Sequence, residues 1–167
     1  MANKHVGVML MTYGSPTTLD DIPVYLKHVY GGSTASPEVL AEFRRRYGLI
    51  GGSPLLHITR EQAAALQEEL NNFSEDGTTY SVGAGMRFAP PFIADVTPEI
   101  AADAQHIVGI IMSPQYSPLI MKGYVRTLED AVAELHCDDL KLSISRDWHM
   151  QPSFLQALAE RVQQALD

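Results

Sequence analysis

The chain has 167 residues, 46% hydrophobic and 19% charged, the composition of one globular domain large enough to bury a substantial core. A net charge of −8 and a pI near 5.1, with no long basic block, argue against nucleic acid as the main partner, because phosphate binding relies on clustered Lys and Arg. Cys137 is the single cysteine, so no internal disulfide can form. No apolar run approaches a membrane span, and the apolar core of MANKHVGVML is too short for a convincing secretory signal. A cytoplasmic location is expected.

The first stretch, Val6 to Met11, is apolar on both faces and too brief for an ordinary helix. It turns through Thr12, Tyr13, Gly14, Ser15 and Pro16, which reads as a buried strand feeding a loop. Ligands of parallel sheets gather where such strands end, so Tyr13 stands where a site would be. LDDIPVYLKHVY follows, with Leu19, Ile22, Leu26 and Val29 at helical spacing and Pro23 acceptable only near the helix start. Ser36 and Pro37 then look like the N-cap and first position of a second helix, with Val39, Leu40, Phe43 and Tyr47 along one face. Gly48 to Pro54 reads as a loop. Thr59 and Gln62 form a capping box for a third helix, whose Ala63, Leu66, Leu70 and Phe73 make its buried stripe.

From Thr79 onward, strand and helix alternate. Thr79 to Met86 is a strand, and Phe92, Val96 and Ile100 mark a helix that Pro98 divides, with Thr97 capping the second piece. His106 to Met112 is a third strand, the region from about Leu119 to Leu135 is helical, and Lys141 to Ser145 is a fourth strand. Pro152 starts a last helix with Leu155, Leu158, Val162 and Leu166 facing inward. The expected fold is α/β: one domain over residues 1–167, with a doubly wound parallel sheet of about four strands and helices on both faces.

A doubly wound sheet brings its strand ends to one edge. Here those ends carry Thr12 to Ser15, Arg87-Phe88, Ser113 to Ser117 and Arg146 to His149. Aromatic rings mixed with cations and hydroxyls suit a flat apolar ligand bearing carboxylates; the same residues are also ordinary loop composition. Other chemistries lack their motifs: there is no GxGxxG after the first strand, no P-loop and no GxSxG elbow. The six histidines show no metal-ligand spacing, and of them His57 and His149 are the possible site neighbours. Cys137, beside Asp138 and Asp139, has no electropositive setting to activate it.

Read together, LMTYGSP, EFRRRYGLIGGSPL followed by ITREQAAALQEEL, a Pro-Phe-Ile helix start, SPQYSP with a downstream Tyr, and a Trp before a Pro-started helix resemble the ferrochelatase family, in order, over nearly the whole chain. The resemblance implies half of a two-lobed α/β protein whose cleft takes a porphyrin. It implies as substrates Fe2+ and protoporphyrin or coproporphyrin, with haem or coprohaem as product and no tightly bound cofactor. Tyr13 matches a tyrosine that faces the porphyrin centre and can contact the metal. Arg46 and Tyr47 match a pair contacting the macrocycle and its propionates, while Ser53 and Tyr124 match propionate hydrogen-bonding residues. Each has a plainer reading: a loop tyrosine, cations near a helix C-terminus (worth only ~0.3–1 kcal/mol), a turn serine and a helix-face aromatic. Tyr30 stands where some family members carry an arginine. The family's iron-handling histidine and its partner glutamate belong to a second half, and Gln115 to Ser117 make a poor Fe(II) site alone. The implied partners are therefore porphyrin and either the missing C-terminal half or a second copy, and the chain alone is expected to be inactive. A small homodimeric chelatase, a porphyrin carrier and an unrelated α/β domain are the alternatives.

Overall fold

A computed structural model describes residues 4–145 and 147–166; Arg146, placed by the sequence at the fourth strand end, lies outside the described residues. Strands β1 (His5–Thr12), β2 (Thr79–Met86), β3 (His106–Ile111) and β4 (Lys141–Ser145) form one sheet in the order β2-β1-β3-β4, with every neighbour parallel. After β1 the chain moves to β2 on one side and then returns to β3 on the other. The topological switch point therefore lies between β1 and β3, immediately before Tyr13.

The alternation of β1 decides which helix covers which face. Met9 and Met11 point into a core closed by helices α4 (Ile93–Ala101) and α5 (Pro118–Ala133), with Ile107, Ile111 and Leu128 wholly buried. Val6, Val8 and Leu10 point the other way, onto Ala63, Leu66 and Leu70 of α3 (Leu55–Asn72). A third cluster sits above the strand ends, where α1 (Ile22–Val29) and α2 (Pro37–Ile50) pack Ile22, Tyr25 and Leu26 against Ala89 and Phe88. Helices thus cover both faces of a parallel α/β sheet, as the alternating pattern predicts.

Several local expectations are corrected. Leu19–Asp21 is a separate 3-10 turn ahead of α1, closed by Thr18, whose N–H and hydroxyl both donate to Asp21 Oδ2 at 2.8 and 2.9 Å. Helix α2 continues through Gly48 to Ile50, because the left-handed residue that ends it is Gly51 with φ 68°. Thr59 and Gln62 do not cap α3. The helix begins at Leu55, whose N–H is satisfied by Ser53 Oγ at 3.3 Å, and Thr59 is a buried interior residue donating to the Leu55 carbonyl at 2.8 Å. Phe73, expected in the stripe, is the exposed C-cap. Pro98 does not divide α4: only its own missing N–H interrupts the ladder, and Thr97 donates from mid-helix to the Ile93 carbonyl at 2.7 Å.

The largest correction concerns the last helix, α6 (Pro152–Leu166). Its apolar residues do not face inward: Leu155 and Leu158 are each 45% exposed, Val162 60% and Leu166 76%. Among the described residues, α6 makes no extended contact with any other element, beyond Phe154 set edge-on against Trp148. Sequence periodicity marks an apolar face but not what covers it.

Candidate functional site at the carboxyl edge of the sheet

Three glycines draw the loops at the carboxyl edge together. Gly14, with φ 89°, adopts a conformation that favours glycine and lies so close to Ala89 that a Cβ would meet its backbone nitrogen at 3.0 Å. Gly52, with φ 100°, sits against the Thr17 carbonyl, 2.6 Å from where its Cβ would be, which ties the Gly-Gly-Ser-Pro loop to the Tyr-Gly-Ser-Pro turn. Gly123 of α5 has Arg87 laid across it, and a Cβ there would overlap the guanidinium. The loop after β2 is fixed in turn by Arg87 and Phe88, whose N–H groups donate to the Thr12 and Tyr13 carbonyls at 3.0 Å each.

Tyr13 stands at the middle of this edge, 42% exposed, its ring tilted against Phe88 with centroids 4.6 Å apart. Arg87 lies over the same Phe88, 4.6 Å from its centroid, and over Tyr124 at 5.6 Å. Tyr124 is 1% exposed, part of the α4–α5 core. Burial pushes its phenol up to about 12, against the opposing pull of Arg87, so it is a neutral hydroxyl at physiological pH. Tyr25, a member of the α1–α2 cluster, is also held above the usual phenol range, first by burial and then by its neighbours Tyr47, Tyr13 and Tyr124. Its hydroxyl bonds to that of Tyr47, while burial raises Tyr47 as well.

Tyr13 packs on Phe88, Tyr47 shares the α1–α2 cluster with Phe88 and Tyr25, and Tyr124 lies in the neighbouring α4–α5 core under Arg87. Ser53 is at the rim, its Oγ accepting from Leu55 N–H, on the loop held against Thr17. Arg46 is more distant in character: it lines a shallow cavity with Tyr30 and Phe43, and its Nε bonds Glu42 at 2.6 Å. Arg45 grips the same carboxylate at 2.8 and 3.0 Å, and the pair holds Glu42 down at about 2. Arg46 enters this site only as a surface cation already sharing a counter-charge.

The two histidines kept as neighbours part company. His57 faces solvent from α3, 3.4 Å from Glu61. His149 is anchored after β4 by its backbone N–H on the Pro114 carbonyl at 3.1 Å, and its Nδ1 is buried without a partner among the described residues. Among those residues no group of three or more His, Cys, Asp or Glu side chains is placed to hold a metal ion. None of the described helices is long and apolar enough to cross a membrane.

The motifs that resemble the ferrochelatase family are borne out at the level of the family by comparison with known proteins. The Ferrochelatase family model matches residues 5–167. The chain belongs to the ferrochelatase family. It is similar to the coproporphyrin III ferrochelatase of Listeria monocytogenes, 34% identical over 161 residues, covering 95% of this chain and 51% of that protein. The protein of the same name from Anoxybacillus flavithermus is 33% identical over 166 residues, covering 98% of this chain and 52% of its own length. That from Oceanobacillus iheyensis is 31% identical over 164 residues, 97% of this chain and 51% of its own. The chain spans about half the length of the curated relatives it matches.

Sequence reasoning named Arg87 and Phe88 only as strand-end residues and passed over Tyr25. The signal that could have singled out Arg87 is the Gly-Tyr pair at positions 123 and 124: a glycine inside a helix, unfavourable there, marks a close approach by another group.

Proposed function

We propose that this chain is the porphyrin-binding half of an enzyme that inserts ferrous iron into a porphyrin. The observation that carries the reading is the half-exposed Tyr13 at the switch point, backed by Phe88 and bordered by Arg87, in a chain of the ferrochelatase family. Insertion exchanges two pyrrole N–H protons for Fe2+, so it needs a wall against one macrocycle face, anchors for the propionates, a base and a ligand that delivers iron. Tyr13 presents its phenol oxygen toward the macrocycle centre as the possible axial contact to porphyrin iron. Tyr47 and Ser53 serve the macrocycle rim and propionates, Arg46 reaches a propionate only by giving up Glu42, and Tyr124, buried in the α4–α5 core, backs the site from beneath Arg87. Iron and porphyrin are substrates, and no tightly held cofactor takes part. The chemistry requires iron kept ferrous, which fits the reducing cytoplasm expected for a chain with a single cysteine.

The base and the iron ligand come from a second half. Two features support this: the relatives are about twice as long, and the α3 side of the sheet is incompletely covered. There a cavity of about 470 Å³ is lined by Leu10, Leu66, Ile110, Met112 and Trp148, and α6 exposes its apolar residues. Surfaces of this kind are closed by a partner, and alone they favour self-association. The test is a Soret titration of coproporphyrin and protoporphyrin with this chain, alongside Tyr13→Phe. A saturable shift, altered in Tyr13→Phe, is expected; a chain that leaves both spectra unchanged at high micromolar concentration overturns the reading.

A further inference from the structure

The guanidinium of Arg87 is placed in an unusual way. Among the described residues it is the one arginine that is not exposed, and no Asp or Glu oxygen among them lies within 4.0 Å of it. Its partners are all of one kind. A Cβ on Gly123 would overlap Cζ, Nη1 and Nη2 together, so the planar group lies face-on against the helix, with the Phe88 and Tyr124 rings beside it. These contacts use the face of the guanidinium. The N–H donors lie in its plane, and none has a hydrogen-bond acceptor among the described residues. A half-buried cation without a counter-charge is unfavourable unless one arrives with a ligand.

The position supports the same conclusion. Arg87 follows β2 at the carboxyl edge, and its neighbour Phe88 is the ring against which Tyr13 packs. Tyr124, the residue that resemblance offers for a propionate, is buried with the guanidinium above its ring.

Resting on the porphyrin reading above, we propose that Arg87, seated flat on Gly123 between Phe88 and Tyr124, is a specificity-determining residue that takes one ligand carboxylate on its open N–H edge. Gly123 is its positioning residue, since any side chain there displaces the guanidinium. The site selects porphyrins that carry an ionised side chain at this rim over those that carry none.

The test compares coproporphyrin with its tetramethyl ester, both dispersed in the same detergent, by fluorescence titration of the wild-type chain, Arg87→Met, Arg87→Lys and Gly123→Ala. Circular dichroism checks that each variant is folded. Arg87→Met weakens coproporphyrin binding about tenfold or more, as expected for a lost charge-assisted fork, and leaves the ester unchanged. Arg87→Lys keeps the charge without the fork and falls between, and Gly123→Ala repeats the Arg87→Met pattern. Equal coproporphyrin affinity for wild type and Arg87→Met overturns the Arg87 proposal alone, as does an equal loss for acid and ester, which marks a packing role. Failure of the wild type to bind either porphyrin overturns the porphyrin reading and the Arg87 proposal with it.

Discussion

On the face covered by α4 and α5, Met9, Met11, Ile107 and Ile111 are wholly buried, whereas on the opposite face Val108, Ile110 and Met112 stay half-buried beside α3. The difference follows from the route of the chain. Helix α3 serves only the β1–β2 side of its face, and α6, next in line to cover β3 and β4, lies away from the sheet. One face is a finished core; the other is laid out as a surface to be covered. The buried apolar packing is therefore concentrated on the α4–α5 side, and the exposed apolar surface lies on the α3 side.

The comparison breaks first at Leu128. Leu128→Ala should lose about 2–5 kcal/mol in urea unfolding, while Ile110→Ala on the open face should lose less than about half as much. Equal losses would mean that the two faces are equally packed. A smaller effect is expected from Gly109→Ala, whose Cβ would come within 2.6 Å of Leu128 Cδ2 and 3.0 Å of Met11 Cε; overpacking there should cost about 1–3 kcal/mol. Leu158→Glu on α6 should leave unfolding within about 0.5 kcal/mol of wild type yet reduce self-association in sedimentation velocity. A large loss of stability in that variant would place α6 in the core after all.

The smallest effect belongs to Glu42, which pairs with Arg45 and Arg46 on the exposed side of α2. Its folded pKa is depressed from 4.5 to about 2, so any stability it contributes is fully present above its unfolded pKa and is lost as pH falls toward 2. Both partners are solvent-exposed, which makes the contribution slight. A carboxyl resonance of Glu42 titrating near 4.5 in the folded chain would show that the arginines do not hold it, and would leave Arg46 free for a propionate.

Much of this fold was legible because local chemistry and tertiary structure agree. The Val6–Met11 run, the alternation after Thr79 and the Ser36-Pro37 start all state their own element, and the Tyr13 loop falls at the switch point they imply. Errors arose where a residue suits two settings. Thr59 has the chemistry of a cap, but Ser53 and Pro54 start α3 earlier and leave it to back-bond from the interior. Leu155, Leu158, Val162 and Leu166 have the periodicity of a buried stripe, but burial needs a neighbour that periodicity does not name. In the sequence Arg87 reads only as a strand-end cation, since its seat on Gly123 joins residues far apart in the chain.

The central claim is that this half holds the macrocycle while the iron chemistry lies in the half that faces it. The most direct measurement adds ferrous iron without oxygen to coproporphyrin and this chain, alone and with the unmatched C-terminal half of a relative supplied in trans, and follows the Soret and visible bands. A bound-porphyrin spectrum with no metallation by the chain alone, and metallation once the second half is present, is the predicted result. Iron insertion by the chain alone, at a rate proportional to its concentration, would contradict the account and place a base and an iron ligand among the residues described above.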